Sequence, residues 1–481
     1  MQPLYKSCYP LDHRCYEEYN LTEDILMEHA SMGMANYIKN KFKTFNGKDN
    51  SDEVATILIV CGVGNNGADG IVLARLLFGY FKVKLYIPFG VKSLMATLQL
   101  ERLEAFHTLE IVDELCEADV IVDAIFGAGL SRELDEKTRK LIVSMQMLKG
   151  FKVSCDIPTG IDIDGNPSPL AFRADTTITM GALKECLYSD MAKDYVGKII
   201  CIDLGMHHYK YTEGFKTNIQ LLEEDDLKLP SRTLSKVTHK GWYGHLAVIM
   251  GEKEGASILS GLSALRFGAG LVTMVGDVQS SLPFELMEDV SLPVKTTAIA
   301  FGMGFDNFDD EIIEDVLESD VPIVLDAGLF SDETILEFLE QKDREIVLTP
   351  HPKEFVSLWN MTIDTPLNVA ILQANRFEKV REFCELFPHV TLLLKGANMI
   401  VAQDEKLFVN PHGTSNLSKG GTGDVLSGLI ASLLAQGSSG LEATIHGSLA
   451  LTLGAKAYSG SSYAMLPTDI IEEIGKLERG E

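Results

Sequence analysis

The sequence has no stretch of roughly 18 uninterrupted apolar residues, and no apolar run follows its start, MQPLYKSCYPLDHRC. Neither a membrane span nor a secretory leader is read from it, and a cytoplasmic protein without a membrane partner is the expectation. Positive charge is scarce: 42 Lys and Arg stand against 69 Asp and Glu, a formal net charge of −27, and no local basic patch offsets it. Such a chain repels a polyphosphate backbone, which argues against nucleic acid as a partner. The eight cysteines form no CxxC pair and fall mostly inside apolar runs, as Cys61, Cys155 and Cys201 do. That excludes a zinc frame and a disulfide scaffold and leaves reduced core thiols. Missing too is the spacing G-x-x-x-x-G-K-[ST], so the P-loop route to a nucleotide drops out.

What is present describes a core-forming α/β protein of more than one domain, since 481 residues exceed one ordinary core. Residues 11 to 43 carry apolar positions at helical spacing and predict one or two helices; residues 44 to 53, TFNGKDNSDE, read as a polar loop. VATILIVCGVGNNGADGIVLARLLFGYFKVKLYIP then reads as strand, glycine turn, helix, strand, a parallel unit with a crossover helix. VIVDAIFGAGL, KLIVSMQML, FKVSCDIPTGID, TITMGALK and KIICIDLG are expected as further short strands. Between Gly205 and Lys240 the chain turns polar and loses periodicity, so a boundary is expected near 220 to 235, dividing residues 1–225 from 226–481. Beyond it GHLAVIMGEKEGASILSGLSALRFGAGLVTMVG repeats the strand, turn, helix, strand order. VPIVLDAGLF, REIVLTPHPKEF and VTLLLKGANMIVAQ supply more strands of a second α/β domain. The two domains share no motif order, so no internal duplication is read.

The chemistry-bearing residues fall at strand ends, where ligands of open α/β sheets collect. Lys419-Gly420-Gly421-Thr422-Gly423-Asp424 precedes the apolar run VLSGLIASLLA. Glycines there can aim bare backbone N–H groups at an anion from a helix N-terminus, with Asp424 placed to take a proton from an attacking hydroxyl. A glycine turn capped by an aspartate ahead of a core helix fits GTGD equally well. Gly62, Gly64 and Gly67 satisfy G-x-G-x-x-G, but the acid expected about 20 residues on in a dinucleotide fold is missing. Asn65, Asn66 and Asp69 follow in NNGADG, where Asn and Asp also simply suit a turn. Asp123 in VDAIFGAGL and Asp156 with Thr159 in CDIPTG come from neighbouring strands, and with Asn66 they make an all-oxygen cluster suited to a hard, weakly held cation. His351 in LTPHPKE, Lys395 in LLLKGANM and Asp326 in VLDAG end strands of the second half. A solvent-facing histidine and a snorkelling lysine are the plain readings of the first two.

Residues from about 11 to 210 resemble the epimerase domain of NAD(P)H-hydrate repair enzymes, the YjeF N-terminal family, through ILMEHAS, GNNGADG, VDAIFGAGL and CDIPTGID. The resemblance implies a Rossmann-like fold, a substrate of NADH or NADPH hydrated on the nicotinamide ring, and a potassium ion. By it, Asn65, Asn66, Gly67, Ala68 and Asp69, with Gly127, Ala128, Gly129, Leu130, Ser131, Arg132 and Glu133, line the substrate. Asn66, Asp123 and Thr159 ligate potassium, and Asp156 is the acid/base and a substrate contact. The chain departs from the family in having Ala68 for Gly, Ala128 for Thr and Thr159 for Ser.

Residues 236 to 475 resemble the ribokinase-like dehydratase domain of the same repair system through HKGWYGHLAVIMG, SALRFGAGLVT, VLDAG, LTPHPKEF, LLLKGANMIV, GGTGDVLSGLI and MLPTDII, in family order. This implies that Ala256, Gly304, His351 and Asp424 contact the hydrated nucleotide. Lys395, Gly396, Ala397, Asn398, Met399 and Gly423 hold ADP, or alternatively ATP, with Mg²⁺; the fused arrangement resembles bacterial enzymes that use ADP. FGMGFD for GPGLG and Lys419 for a small residue are departures. The implied activity is bifunctional, epimerisation of the hydrate followed by nucleotide-dependent dehydration, in a chain expected to be a homo-oligomer. Two other readings remain open from sequence. One is a vitamin-precursor kinase of the ribokinase-like class, which NNGADG with CDIPTG argues against. The other is a non-catalytic N-terminal module, which Asn66, Asp123 and Asp156 together argue against.

Overall fold

The computed structural model describes residues 1–42, 54–105, 109–130, 132–232, 237–305 and 310–477. The loop read at 44 to 53 and the candidate Ser131 lie outside the described residues. The chain divides into two compact units, Pro3–Thr217 and Asn218–Glu481, with Met1–Gln2 counted in the second. Ile219–Leu221 pairs in parallel with Lys406–Asn410, so residues 218–225 go with the C-terminal unit. There the Met1 ammonium also pairs with Glu223 at 3.1 Å and Asp226 at 2.7 Å.

In the N-terminal unit the strands run in the spatial order Glu110–Val112, Lys82–Tyr86, Thr56–Cys61, Val120–Ala124, Phe151–Cys155, Thr176–Met180, Lys198–Ile202, with every pairing parallel. A parallel sheet must be covered on both faces, and the interior strand Thr56–Cys61 shows how its sequence satisfies this. Ile57, Ile59 and Cys61 enter one core; Leu58 and Val60 enter the other. Each such aliphatic side chain, taken fully out of water, contributes about 1.5–3 kcal/mol. Two helices, Tyr9–Glu18 and Glu23–Lys41, precede Thr56–Cys61, the first strand of this sheet in chain order.

One expectation is corrected: KLIVSMQML is not a strand but the second half of the helix Glu136–Met147. Its buried residues are Thr138, Ile142 and Met145, a spacing of four and three that lies on one helical face. Asp135 caps it by accepting from Thr138 N at 2.8 Å.

The glycines of G-x-G-x-x-G have unequal work. A Cβ on Gly62 would stand 2.0 Å from Ile125 O, and one on Gly67 would stand 2.0 Å from Gly62 O, while one on Gly64 would meet nothing within 4 Å. Two of the three are demanded by backbone packed on backbone at the start of the helix Asn65–Leu77.

After the short N-terminal edge strand Gln2–Pro3, the strands of the C-terminal unit run in the order Ile219–Leu221, Lys406–Asn410, Met399–Gln403, Val390–Leu394, Ile346–Leu348, Ile323–Leu325, Ala298–Phe301, His245–Ile249, Leu271–Val275, Met287–Asp289. From Val390–Leu394 to Met287–Asp289 all pairings are parallel. Their carboxyl ends therefore share one edge, where Gly251, Gly304, Asp326, His351 and Lys395 all follow strands. The helix Thr422–Ala435 is buried from Val425 to its end. It approaches Glu254–Arg266 closely enough that a Cβ on Gly428 would stand 2.1 Å from Ser260 O.

Candidate active sites

The N-terminal unit holds a cavity of about 550 Å³ at the carboxyl edge of its sheet. Asn65, Asn66 and Asp69 reach it from the first turns of Asn65–Leu77, Gly127, Ala128 and Gly129 from the loop after Val120–Ala124, and Asp156 from the end of Phe151–Cys155. Asp156 adopts φ +66°, a left-handed conformation that costs a non-glycine residue energy and persists only where its surroundings hold it. They do: Oδ1 accepts from Lys184 Nζ at 2.6 Å, from Thr179 Oγ1 at 3.1 Å and from Met180 N at 3.3 Å. A Cβ on Gly127 would stand 3.1 Å from Asn66 Oδ1 and 3.2 Å from Asp156 Oδ2, so the three residues converge and glycine keeps the space open.

Behind them Asp123 is wholly buried and accepts from Thr159 Oγ1 at 2.6 Å, Thr159 N at 2.8 Å and Ile125 N at 3.2 Å. Burial pushes its carboxyl up to about 6, against the pull of those hydrogen bonds. Burial, followed by the negative charges of Asp156, Asp12 and Glu23, holds Asp69 well above the ordinary carboxylate range. The side-chain nitrogen of Asn66 is buried without a hydrogen-bond partner.

In the C-terminal unit Asp326 is 1% exposed and fully engaged. Its Oδ1 accepts from Lys395 Nζ at 2.7 Å and Ala327 N at 2.9 Å, and its Oδ2 from Ser427 Oγ at 2.6 Å. Ser427 lies one turn after Gly423 and Asp424, so these bonds tie two strand ends to the first turns of Thr422–Ala435. That helix starts from Gly421 at φ +95°, and the N–H groups of Gly423 and Asp424 lie in its first turn, where no intrahelical acceptor exists. Lys395 Nζ lies 3.3 Å from where a Cβ on Gly423 would stand, which sets an ammonium beside those amides. Burial first and the charge of Asp326 second, opposed by Lys395, push Asp424 up to about 6.

His351 caps Pro352–Thr362: its Nδ1 accepts from Lys353 N at 3.1 Å and Glu354 N at 3.2 Å. The ring proton is thereby assigned to Nε2, which lies 3.2 Å from Glu354 Oε1. Burial and the neighbouring Lys395 lower the pKa of His351 below the usual histidine value, and burial pushes Glu354 up to about 7. Gly396, Ala397 and Asn398 form the turn between Val390–Leu394 and Met399–Gln403. Buried Arg376 holds this turn by donating to the carbonyls of Leu394, Lys395 and Asn398 at 3.3, 3.1 and 3.1 Å. A cavity of about 760 Å³ opens at the ends of His245–Ile249, Leu271–Val275 and Ala298–Phe301. Gly304 and Ala256 stand beside it, since a Cβ on Gly304 would be 3.2 Å from that of Ala256 and one on Gly251, in the cavity wall, 2.5 Å from Gly304 C. Asp424, His351 and Lys395 do not line that cavity.

Some candidates gather and others do not. Asn65, Asn66, Asp69, Gly127, Ala128, Gly129 and Asp156 share one cavity, with Asp123 and Thr159 in contact behind it. Gly67 packs on Gly62, Ala68 joins a core with Met27, Val72 and Ala96, and Leu130 is buried in another core. Arg132 and Glu133 are exposed and outside the cavity wall. Two residues escaped the sequence reading. Lys184, a single lysine in the apolar MGALKECL, shows no local sign of its partner. Glu354 was legible as the fourth residue of a capping box opening at His351.

Fold and geometry thus define a two-unit α/β protein with a separate strand-end acid site in each unit. Residues 23–186 match the family described as YjeF-related protein N-terminus, and residues 246–476 match the family described as NAD(P)H-hydrate dehydratase. The chain is 39% identical to the bifunctional NAD(P)H-hydrate repair enzyme of Helicobacter pylori over 99% of its own length and 100% of that protein. It is 32% identical to the enzyme of the same description from Dictyoglomus turgidum, covering 96% of this chain and 95% of that one. Among solved structures, the ADP/ATP-dependent NAD(P)H-hydrate dehydratase of Bacillus subtilis, co-crystallised with ATP and Mg²⁺, is 27% identical. It covers 54% of this chain and 98% of its own, with a TM-score of 0.47. The chain belongs to the family of bifunctional NAD(P)H-hydrate repair enzymes.

Proposed function

We propose that this protein repairs NADH and NADPH that have taken up water on the nicotinamide ring. The N-terminal unit interconverts the R and S epimers of the hydrate, and the C-terminal unit returns the S epimer to NAD(P)H at the expense of ADP. The observation that carries this reading is the presence of two separate acid sites in one chain, Asp156 in its cavity and Asp424 at its helix start.

At the second site Asp424 takes the proton of the hydrate hydroxyl as that oxygen attacks the terminal phosphoryl group of the nucleotide. Lys395 and the amides of Gly423 and Asp424 meet the charge that develops on the phosphoryl oxygens. The hydroxyl, once phosphorylated, leaves as phosphate, driven by the lone pair of the ring nitrogen, and a proton lost from the adjacent ring carbon restores the dihydropyridine. His351, Ala256 and Gly304 contact the hydrate in this reading, and Gly396, Ala397, Asn398 and Met399 hold the nucleotide. Among the described residues no group of three His, Cys, Asp or Glu side chains is arranged to hold a metal. Mg²⁺ needs none, because it binds through one or two carboxylates plus phosphate oxygens, and there it would neutralise phosphate charge. Because dehydration accepts one epimer, the first unit supplies it from the other, with Asp156 moving the proton.

Asn66, Asp123 and Thr159 are proposed to hold K⁺. The wholly oxygen donor set fits a weakly held monovalent ion, which would counter the buried charge of Asp123. The same reading takes the protein to be cytoplasmic and homo-oligomeric, the second checked by sedimentation of the purified chain. Mixing the protein with both hydrate epimers and ADP tests the whole. Dihydronicotinamide absorbance returns completely, and a plateau at half the hydrate refutes the epimerase half.

A further inference from the structure

Lys184 lies in the segment after Thr176–Met180, 3% exposed, and its ammonium meets three acceptors: Asp156 Oδ1 at 2.6 Å, Thr179 Oγ1 at 2.8 Å and Met180 O at 3.1 Å. An ammonium has three donors and no acceptor, so this one is saturated. It has nothing left with which to grip a phosphate, and it cannot protonate a substrate without breaking a buried bond. Although burial works against its charge, the Asp156 carboxylate holds Lys184 above the ordinary lysine range. Its influence on a ligand must therefore pass through Asp156.

The two oxygens of Asp156 are not equivalent. Oδ1 takes all three hydrogen bonds, from Lys184, the Thr179 hydroxyl and the Met180 N–H. Oδ2 takes none of them and faces the gap kept open by Gly127 in the cavity wall. Asp12, Glu23 and Asp69 line the same cavity, so Asp156 stands among three other acids there. Only one cation, Lys184, lines the cavity among the described residues.

We infer that Lys184 is a positioning residue of the epimerase site: it pins Oδ1 of Asp156, leaving Oδ2 as the one oxygen that takes and returns the proton of the hydrate. The inference rests on the epimerase reading of this unit.

The test uses the full chain and purified R hydrate, following conversion to the S epimer by chromatography without nucleotide. In K184M, kcat falls by about 10²-fold, the size of a general-base contribution, while KM stays within about threefold. K184Q keeps two N–H donors without the charge; it falls in between and serves as the readout if K184M does not fold. On a D156N background K184M adds no further loss, because the lysine acts only through that carboxylate. A wild-type kcat in K184M and K184Q, a loss carried by KM, or losses that multiply in the double variant would each overturn the inference. A wild-type chain that converts no R hydrate sinks the epimerase reading and this inference together, whereas normal wild-type conversion with unaffected variants sinks this inference alone.

Discussion

In the N-terminal unit Lys184 Nζ lies 2.6 Å from Asp156, and in the C-terminal unit Lys395 Nζ lies 2.7 Å from Asp326. Both pairs stand at the carboxyl edge of a parallel sheet. Their use differs. In the first pair the aspartate is itself the candidate acid/base, and the lysine has spent every donor on the protein. In the second the aspartate is the buried partner, its remaining valences filled by Ser427 and the Ala327 amide. There Lys395 keeps donors for an incoming anion, and the candidate base, Asp424, stands apart and is pushed up to about 6. A buried ion pair can thus serve either as the reactive group or as the support that aims one.

The hardest break in the comparison is at Asp424. D424N keeps the volume but cannot accept the hydroxyl proton, and dehydration falls by about 10²- to 10⁴-fold while R-to-S conversion is untouched. Dihydronicotinamide absorbance with the S epimer and ADP reads the first, chromatography the second; equal loss of both activities would make Asp424 structural.

K395M leaves Asp326 buried without its cation. Breaking such a pair costs about 3–5 kcal/mol, and urea unfolding of the variant reads it as a lowered midpoint for the C-terminal transition. An unchanged midpoint would show that Ser427 and Ala327 suffice to hold the carboxylate.

A fragment of residues 218–481 consumes the S epimer and leaves the R epimer behind, and one of residues 3–217 converts R to S without nucleotide. These ends follow the compact units. Complete consumption of both epimers by the C-terminal fragment would return the N-terminal unit to a non-catalytic role.

The smallest effect is in pH. Because the carboxyl of Asp424 is raised to about 6 and must be charged to act, the dehydration rate rises through that pH and falls about tenfold per unit below it. D326N removes one of the charges that raise it, so the midpoint moves down by less than about one unit. A midpoint that moves up in D326N would mean that Asp326 acts on Asp424 mainly by holding Lys395.

Both α/β units were legible because short β-branched apolar runs that end in glycine turns, as Thr56–Cys61 does, and the longer apolar run from Val425 to Ala435 mark strand and buried helix by length and punctuation. KLIVSMQML was misread because a short apolar run fits either period, and only the spacing of Thr138, Ile142 and Met145 against the core separates them. At the sites, the acids that end strands stood out as single residues. Their partners did not.

By itself the sequence determined most of the strands and helices, that strand ends carry Asp123, Asp156, Asp326, His351 and Lys395, and that a glycine turn opens the helix with Asp424. Those are local facts, set by side-chain period, glycine and proline. The tertiary structure decided that Lys184 meets Asp156 across 28 residues and that Ser427 meets Asp326 across 101. It decided too that Gly62 and Gly67 serve packing while Gly127 serves the cavity, and that Ala68 and Leu130 turn into cores. The reason is that such contacts depend on which strands become neighbours and on how far each loop carries its side chains over the sheet edge, and neither is written in the residues near them.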